Sequence, residues 1–261
     1  MDNIEKLIDS LHLEDLRNEL HPSIFDENEE YDMLIVRIPV ISDKLSAVSI
    51  GLIITEQNSY LYDKNQHKFQ ELTGHFEGPH SLLDKITDKM LKSFVKYQDM
   101  VADMEERLYE DNIKENFMNI WLELKLEILR IERILLRAEN TIDNFIEYYK
   151  DIPEFPINNY GDLHEHLERT RRSAALQLSK LDYLYSFYNT KSNDKMNRMI
   201  YVLTIISAIF LPLNLVVGFF GMNTSGLPFA SGAKGTYYAV SLMASLMIMA
   251  SATVYIWQKK R

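Results

Sequence analysis

Two long runs without charge near the C-terminal end constrain this chain more than any other feature. Met199–Phe220 is a stretch of 22 residues, and Tyr237–Trp257 one of 21, with no Asp, Glu, Lys or Arg. A hydrocarbon core of ~30 Å takes about 20 apolar helical residues, so each run is long enough to cross a bilayer once. Core helices of water-soluble proteins seldom run this far without a charge.

The charges are divided to match. The 261-residue chain has a formal net charge of -10. Every acid lies at or before Asp194, and from Lys191 onward there are seven basic residues and one acid. The chain therefore reads as an acidic water-exposed part followed by a membrane part. Lys195 and Arg198 precede the first run, Lys259, Lys260 and Arg261 follow the second, and only Lys234 lies between them. The positive-inside rule predicts cytoplasmic N- and C-termini and an external loop, in a multi-pass protein of the plasma (inner) membrane. Tyr201, Tyr237, Tyr238, Tyr255 and Trp257 fall near the interfaces, where amphipathic rings are expected. The polar start, Met1-Asp2-Asn3-Ile4-Glu5-Lys6, does not read as a secretory signal.

Some functions are excluded at once. Nucleic acid is not an expected partner, because so acidic a chain repels phosphates. With no Cys there are no disulfides, thiolate zinc sites or Cys nucleophiles. No phosphate-binding Gly-rich loop, Gly-x-Ser-x-Gly or His-Glu-x-x-His is present, so no enzyme and no cofactor are expected.

Residues 1–78 read as a small cytoplasmic α/β unit. A helix is predicted at Ile4–Leu20, then strands at Tyr31–Val40, Val48–Thr55, Tyr60–Asp63 and Lys68–Leu72. His75, Glu77 and His80 flank Gly78-Pro79 in a predicted loop. Residues 79–198 read as a helical, coiled-coil stalk. One stripe is Leu83, Ile86, Met90, Phe94, Tyr97, Val101, Met104 and Leu108. The next is Phe117, Trp121, Leu124, Ile128, Ile131, Leu135, Ala138, Ile142, Phe145 and Tyr149, in alternating steps of four and three. Pro153 and Pro156 break the chain. A third stripe follows: Leu163, Leu167, Thr170, Ala174, Leu178, Leu181, Tyr185 and Tyr188. No Gly or Pro parts it from the first apolar run, so one helix is predicted from about residue 160 to 220, ~90 Å long. The remaining divisions are 199–220 and 237–258 as transmembrane helices, 221–236 as the external loop and 259–261 as a basic tail.

The first span carries a row at helical spacing: Asn197, Ile200, Thr204, Ser207, Leu211, Asn214 and Gly218. Two readings stand for its polar members. They hydrogen-bond a neighbouring helix, or they line a water path, which two spans alone cannot enclose and several copies could. Pro212 frees the carbonyl of Ala208, which a polar face tolerates.

Gly221-Met222-Asn223 follows this span directly. The frame is Ile209-Phe210-Leu211-Pro212-Leu213-Asn214, then Gly218-Phe219-Phe220-Gly221-Met222-Asn223, then Leu227-Pro228. With Val202-Leu203-Thr204-Ile205-Ile206 upstream, a second span downstream and a basic tail, residues 195–261 resemble the CorA superfamily of divalent-cation transporters. That resemblance implies an α+β membrane protein in a funnel-shaped homo-oligomer, a homopentamer. Gly221, Met222 and Asn223 would form the selectivity turn, and Asn223 would hold the ion through its hydrating waters. Asn197, Ile200, Leu203, Thr204, Ser207, Leu211, Asn214 and Gly218 would line the pore, with the second span as an outer ring. The expected cargo is Mg²⁺, with Co²⁺, Ni²⁺ or Zn²⁺ as further substrates. Two departures bear on the ion. The magnesium branch usually has Met-Pro-Glu after the turn, where this chain has Leu227-Pro228-Phe229. Thr224-Ser225-Gly226-Leu227-Pro228 is closer to the loop of the ZntB zinc-transporter branch, which is a proton-coupled alternative. A membrane-anchored coiled-coil receptor or scaffold is the rival of another class.

Candidate metal ligands in the water-exposed part are Asp162, His164, His166 and Glu168, where His164 and Glu168 are four apart and could share an ion. The other reading of these four is a solvated polar face. The family resemblance implies acidic ion-sensing sites between subunits, for which Asp182 and Asp194 are further candidates.

Overall fold

The structure is a computed structural model that describes residues 4–42, 45–110, 116–222 and 233–259. The chain divides into two compact units, Met1–Ser186 and Phe187–Arg261.

The first unit is built on a five-stranded antiparallel meander: β1 (Ile24–Asp26), β2 (Asp32–Ile41), β3 (Leu45–Ile54), β4 (Ser59–Asp63) and β5 (Lys68–Glu71), in chain order. β2 pairs with β3 along its whole length, from Asp32 opposite Ile54 to Ile41 opposite Leu45. The near-continuous apolar run of β2 has a direct cause, since both of its faces are covered. Met33 and Ile35 join Ile53, Tyr62 and Phe69 in a core with Ile4, Leu13 and Leu16, from α1 (Ile4–Leu7) and α2 (Ser10–Arg17). The alternate residues Leu34, Val36 and Ile38 are equally buried and point the other way. On that side lie α3 (Glu77–Tyr109) and α4 (Phe117–Tyr149).

Several predictions need correction. The helix expected over Ile4–Leu20 is two helices, because Asp9 stops the first and caps the second, its Oδ1 accepting from the Leu11 N–H at 2.7 Å. β1 was not foreseen, being only three residues long and lying just after Pro22. α2 seats on the sheet over Gly51, where a Cβ would lie 2.4 Å from Leu16 Cδ2. Any side chain there would force Leu16 out of its place. The segment around Gly78 is also not a loop. α3 starts at Glu77, with Pro79 in its first turn, where a missing N–H costs no helical bond. His75 and His80 hydrogen-bond the carbonyls of Thr55 (2.7 Å) and Asn159 (3.0 Å).

Most residues of the helical stripes are buried as their spacing predicts, while Ile86, Trp121 and Tyr188 are half-buried. An aromatic cluster of Phe76, Phe145, Tyr149, Phe155 and Tyr160 joins the start of α3, the end of α4 and the start of α5. The Tyr160 hydroxyl donates to the Phe76 carbonyl (2.9 Å), and the Tyr149 hydroxyl donates to Asp32 Oδ2 on β2. Helix α5 runs from Ile157 to Phe220, 64 residues, so its first part belongs to the first unit and its last part to the second. Its buried seam is Tyr160, Leu163, Leu167, Thr170, Ala174, Gln177, Leu181 and Leu184. The expected Leu178 and Tyr185 are replaced by Gln177 and Leu184, because geometry holds the alternation of three and four even where it buries a Gln. Trp121 Nε1 donates to the Leu181 carbonyl (2.8 Å), and Gln98 Nε2 donates to Ser173 Oγ (2.7 Å).

The second unit comprises the end of α5 and α6 (Ala233–Lys259).

Candidate functional site

The end of α5 is long and apolar enough to cross a membrane, and its apolar stretch is almost wholly uncovered. Coverage is one-sided. Tyr201, Ile205, Ile209, Leu213 and Val216, in steps of four and three, are half-buried or buried. Asn197, Ile200, Leu203, Thr204, Ser207, Leu211, Asn214 and Gly218 are all exposed. Leu203 is 64% and Leu211 73% exposed, against 9% for Val216. Within the row, the Thr204 hydroxyl donates to the Ile200 carbonyl at 2.8 Å, and its oxygen can still accept a hydrogen bond. The helix passes through Pro212 without ending.

Glycine has two different meanings along this segment. A Cβ on Gly221 would sit 2.9 Å from the Val217 carbonyl oxygen, which accepts from the Gly221 N–H at 2.8 Å. Any other residue at the first position of the motif would have to shift this helix end by a few tenths of an ångström. A Cβ on Gly218 would meet nothing within 4 Å among the described residues. Contacts among the described residues give no reason for glycine there. Met222 is 54% exposed, and Asn223 lies outside the described residues. Among the described residues the apolar stretch of α6 is Val240–Ala250, shorter than a span, so the Tyr237–Trp257 crossing rests on the sequence run.

A second cluster lies in the first unit, where α3 meets the start of α5. Single ligand atoms of Asp84, Asp162 and His166 all lie within 4.8 Å of one another. His166 Nε2 is 3.7 Å from Asp162 Oδ1, and His166 Nδ1 is 3.9 Å from Asp88 Oδ1, too long for a hydrogen bond. Among the described residues, that Nδ1 is buried without a hydrogen-bond partner. Two carboxylates and an imidazole within this span can close on a divalent ion at ~2.0–2.2 Å after small side-chain movements.

The other candidates are placed differently. Glu168 is paired with Arg172 (3.0 Å) and Asp182 with Lys125, while His164 is half-buried and Asp194 exposed in the second unit. The structure thus brings Asp162 and His166 together with Asp84, a residue the sequence reading passed over. The signal was there: Asp84 and Asp88 are four apart, as are Asp162 and His166, so each helix offers two ligand residues on one face.

Comparison with known proteins agrees with this layout. The family described as CorA-like Mg2+ transporter protein matches residues 3–260. A cobalt/magnesium transport protein CorA from Thermotoga maritima is 24% identical over 185 residues, covering 69% of this chain and 51% of the relative. A zinc transport protein ZntB from Vibrio parahaemolyticus is 22% identical over 164 residues, covering 62% of this chain and 51% of the relative. The chain thus spans about half the length of these curated relatives. The solved CorA magnesium transporter of Methanocaldococcus jannaschii has the same fold, with a TM-score of 0.79 at 19% identity over 99% of this chain and 85% of that one. With a match running from one end of the sequence almost to the other, the chain belongs to the CorA-like Mg2+ transporter family.

Proposed function

We propose that several copies of this chain, five in the arrangement its family resemblance implies, form a membrane pore for divalent cations, with Mg²⁺ favoured. The observation that carries the reading is the uncovered row from Asn197 to Gly218, which leads into Gly221-Met222. Its polar members and its contact-free glycine have a use only if something outside the single chain meets them. Water and other copies around an axis meet both needs. Mg²⁺ dehydrates reluctantly, so amide oxygens such as that of Asn223 would accept hydrogen bonds from its waters rather than strip them. Carboxylates at that point would hold a dication too tightly to release. Ile200, Leu203 and Leu211 would close the path by dewetting. The second apolar run would form an outer ring, with residues 221–236 outside and both termini in the cytoplasm.

The Asp84, Asp162 and His166 cluster supplies a cytoplasmic ion site in this reading. Its imidazole suits Zn²⁺, Co²⁺ or Ni²⁺ better than Mg²⁺. Together with the Thr224–Pro228 loop, that is the specific support for zinc as the alternative cargo.

Flux into liposomes that hold only the purified chain is the test, run with Mg²⁺ against Zn²⁺ and with or without a proton gradient. Saturable Mg²⁺ uptake without a gradient is expected. Zinc uptake that needs the gradient would assign the alternative. No flux of either ion would return the chain to an anchored scaffold.

A further inference from the structure

A groove in the first unit gathers four arginines in an otherwise acidic chain. It lies between the Pro22-Ser23 connection, β2 and the middle of α4, with a volume of about 570 Å³. Arg130, Arg133 and Arg137 line it from one face of α4, in steps of three and four, and Arg37 lines it from β2. Leu126 and Leu136, which are 57% and 40% exposed, form part of an apolar wall beside them.

These arginines are unlike several others in the chain. Arg17, Arg107, Arg171 and Arg172 each face a carboxylate. Among the described residues, no ion pair within 4.0 Å engages any of the four in the groove. Arg37 Nη1 donates to the Leu20 carbonyl (2.8 Å), but its Nε is buried without a hydrogen-bond partner. Burial, then Arg130 and Arg137, lower the proton affinity of the Arg37 guanidinium. Glu132, between two of these residues in sequence, acts on Arg171. Like charges gathered without a counter-charge destabilise the folded unit, and an anion in the groove removes that cost.

We propose that this groove binds a small polyphosphate anion that carries a second, less polar moiety. Guanidinium forks match phosphate oxygens in geometry and bind them through charge-assisted hydrogen bonds. The apolar wall gives the rest of the ligand a face to lie against, and the volume is that of a small-molecule site. Two sources share this chemistry: a soluble nucleoside triphosphate and the phosphorylated headgroup of an inositol lipid.

The test is equilibrium binding to the full chain in detergent, with chelator present so that no metal bridges the ligand. The probes are inorganic triphosphate, adenosine triphosphate and inositol trisphosphate. Saturable binding is expected, weakening as salt rises from ~0.1 to ~0.5 M. The double variant Arg130→Gln/Arg137→Gln should bind about tenfold more weakly while the ligand-free chain is at least as thermally stable as before, and Arg130→Lys/Arg137→Lys should recover part of the binding loss. Tighter binding of adenosine triphosphate than of the headgroup assigns the nucleotide, and the reverse assigns the lipid. No saturable binding of any probe, or equal affinity in the Gln variant, overturns the proposal. So does a Gln variant whose only change is a looser oligomer, which would mean that an acidic segment of a second copy fills the groove. Ion flux is not read in this assay, so its failure leaves the transport proposal where it was.

Discussion

Helix α5 contains two halves built from similar residues with opposite surroundings. In the first unit Leu167, Ala174 and Leu181 are fully buried. In the second, Ile200, Leu203 and Leu211 are 54%, 64% and 73% exposed. The first half meets the sheet-backed helices α3 and α4 and completes a core within one chain. The second half leaves a wide apolar surface that water would not tolerate, and only lipid or further copies can cover it. The same periodicity therefore has two uses, and the missing charges tell them apart.

The comparison is broken most severely at the core. Leu135→Ala, at a fully buried site on α4, should cost roughly 2–5 kcal/mol, read by urea or thermal unfolding of the first unit. Leu211→Ala should leave that transition in place, because nothing in the first unit depends on it. Equal losses from the two would end the distinction between the halves.

A change at the motif should show the converse. Asn223→Ala is expected to lower flux about tenfold or more, with the oligomer and the unfolding transition unchanged. Wild-type flux at equal expression would remove Asn223 from the pathway. Leu203→Asn should act in the other direction, wetting the closed path and raising flux at high internal Mg²⁺ by severalfold.

Alkaline pH sharpens the contrast less strongly. Burial raises the Tyr97, Tyr149 and Tyr160 hydroxyls above the ordinary 10.0, with Glu127 adding to Tyr97, Asp32 to Tyr149 and Glu77 to Tyr160. Their folded values lie above the unfolded one, so this stability is whole below pH 10.0 and lost as pH rises beyond it. Urea midpoints of the first unit should be flat from neutral pH to about 10 and then fall. Tyr160→Phe should make that fall shallower, and an unchanged slope would show that these hydroxyls do not control it.

The smallest effect is expected at Lys234, which is exposed and is the only charged residue of residues 221–236. If copies repeat it around an external mouth, Lys234→Glu should raise uptake about twofold at low cation concentration, and less as salt screens the charge over ~10 Å. A salt-independent result would mean that Lys234 only anchors the second span.

Most strands and all three long helices of the first unit were legible because alternation and three-four spacing survive as long as one face stays buried. The break at Asp9 was missed because an apolar pattern runs across it, although Asp9-Ser10 is an N-cap signal. Asp162 and His166 were legible as ligand types, but Asp84 was not, since 78 residues separate it in sequence from Asp162 and only the α3–α5 packing makes them neighbours. The arginine groove was hidden for the same reason. Arg37 stands alone on a strand, and nothing in the pattern of α4 says which element it will face.

The sequence by itself determined the division into an acidic water-exposed part and an apolar part, the continuous helix between them and the glycine that ends it. These are local properties: charge, periodicity and the steric demand of one backbone turn. Tertiary structure decided which side chains from distant segments share a site, because a contact between elements depends on packing direction and not on spacing along the chain. It placed Asp84 beside Asp162 and His166, turned Arg37 toward α4, and left the row from Asn197 to Gly218 exposed.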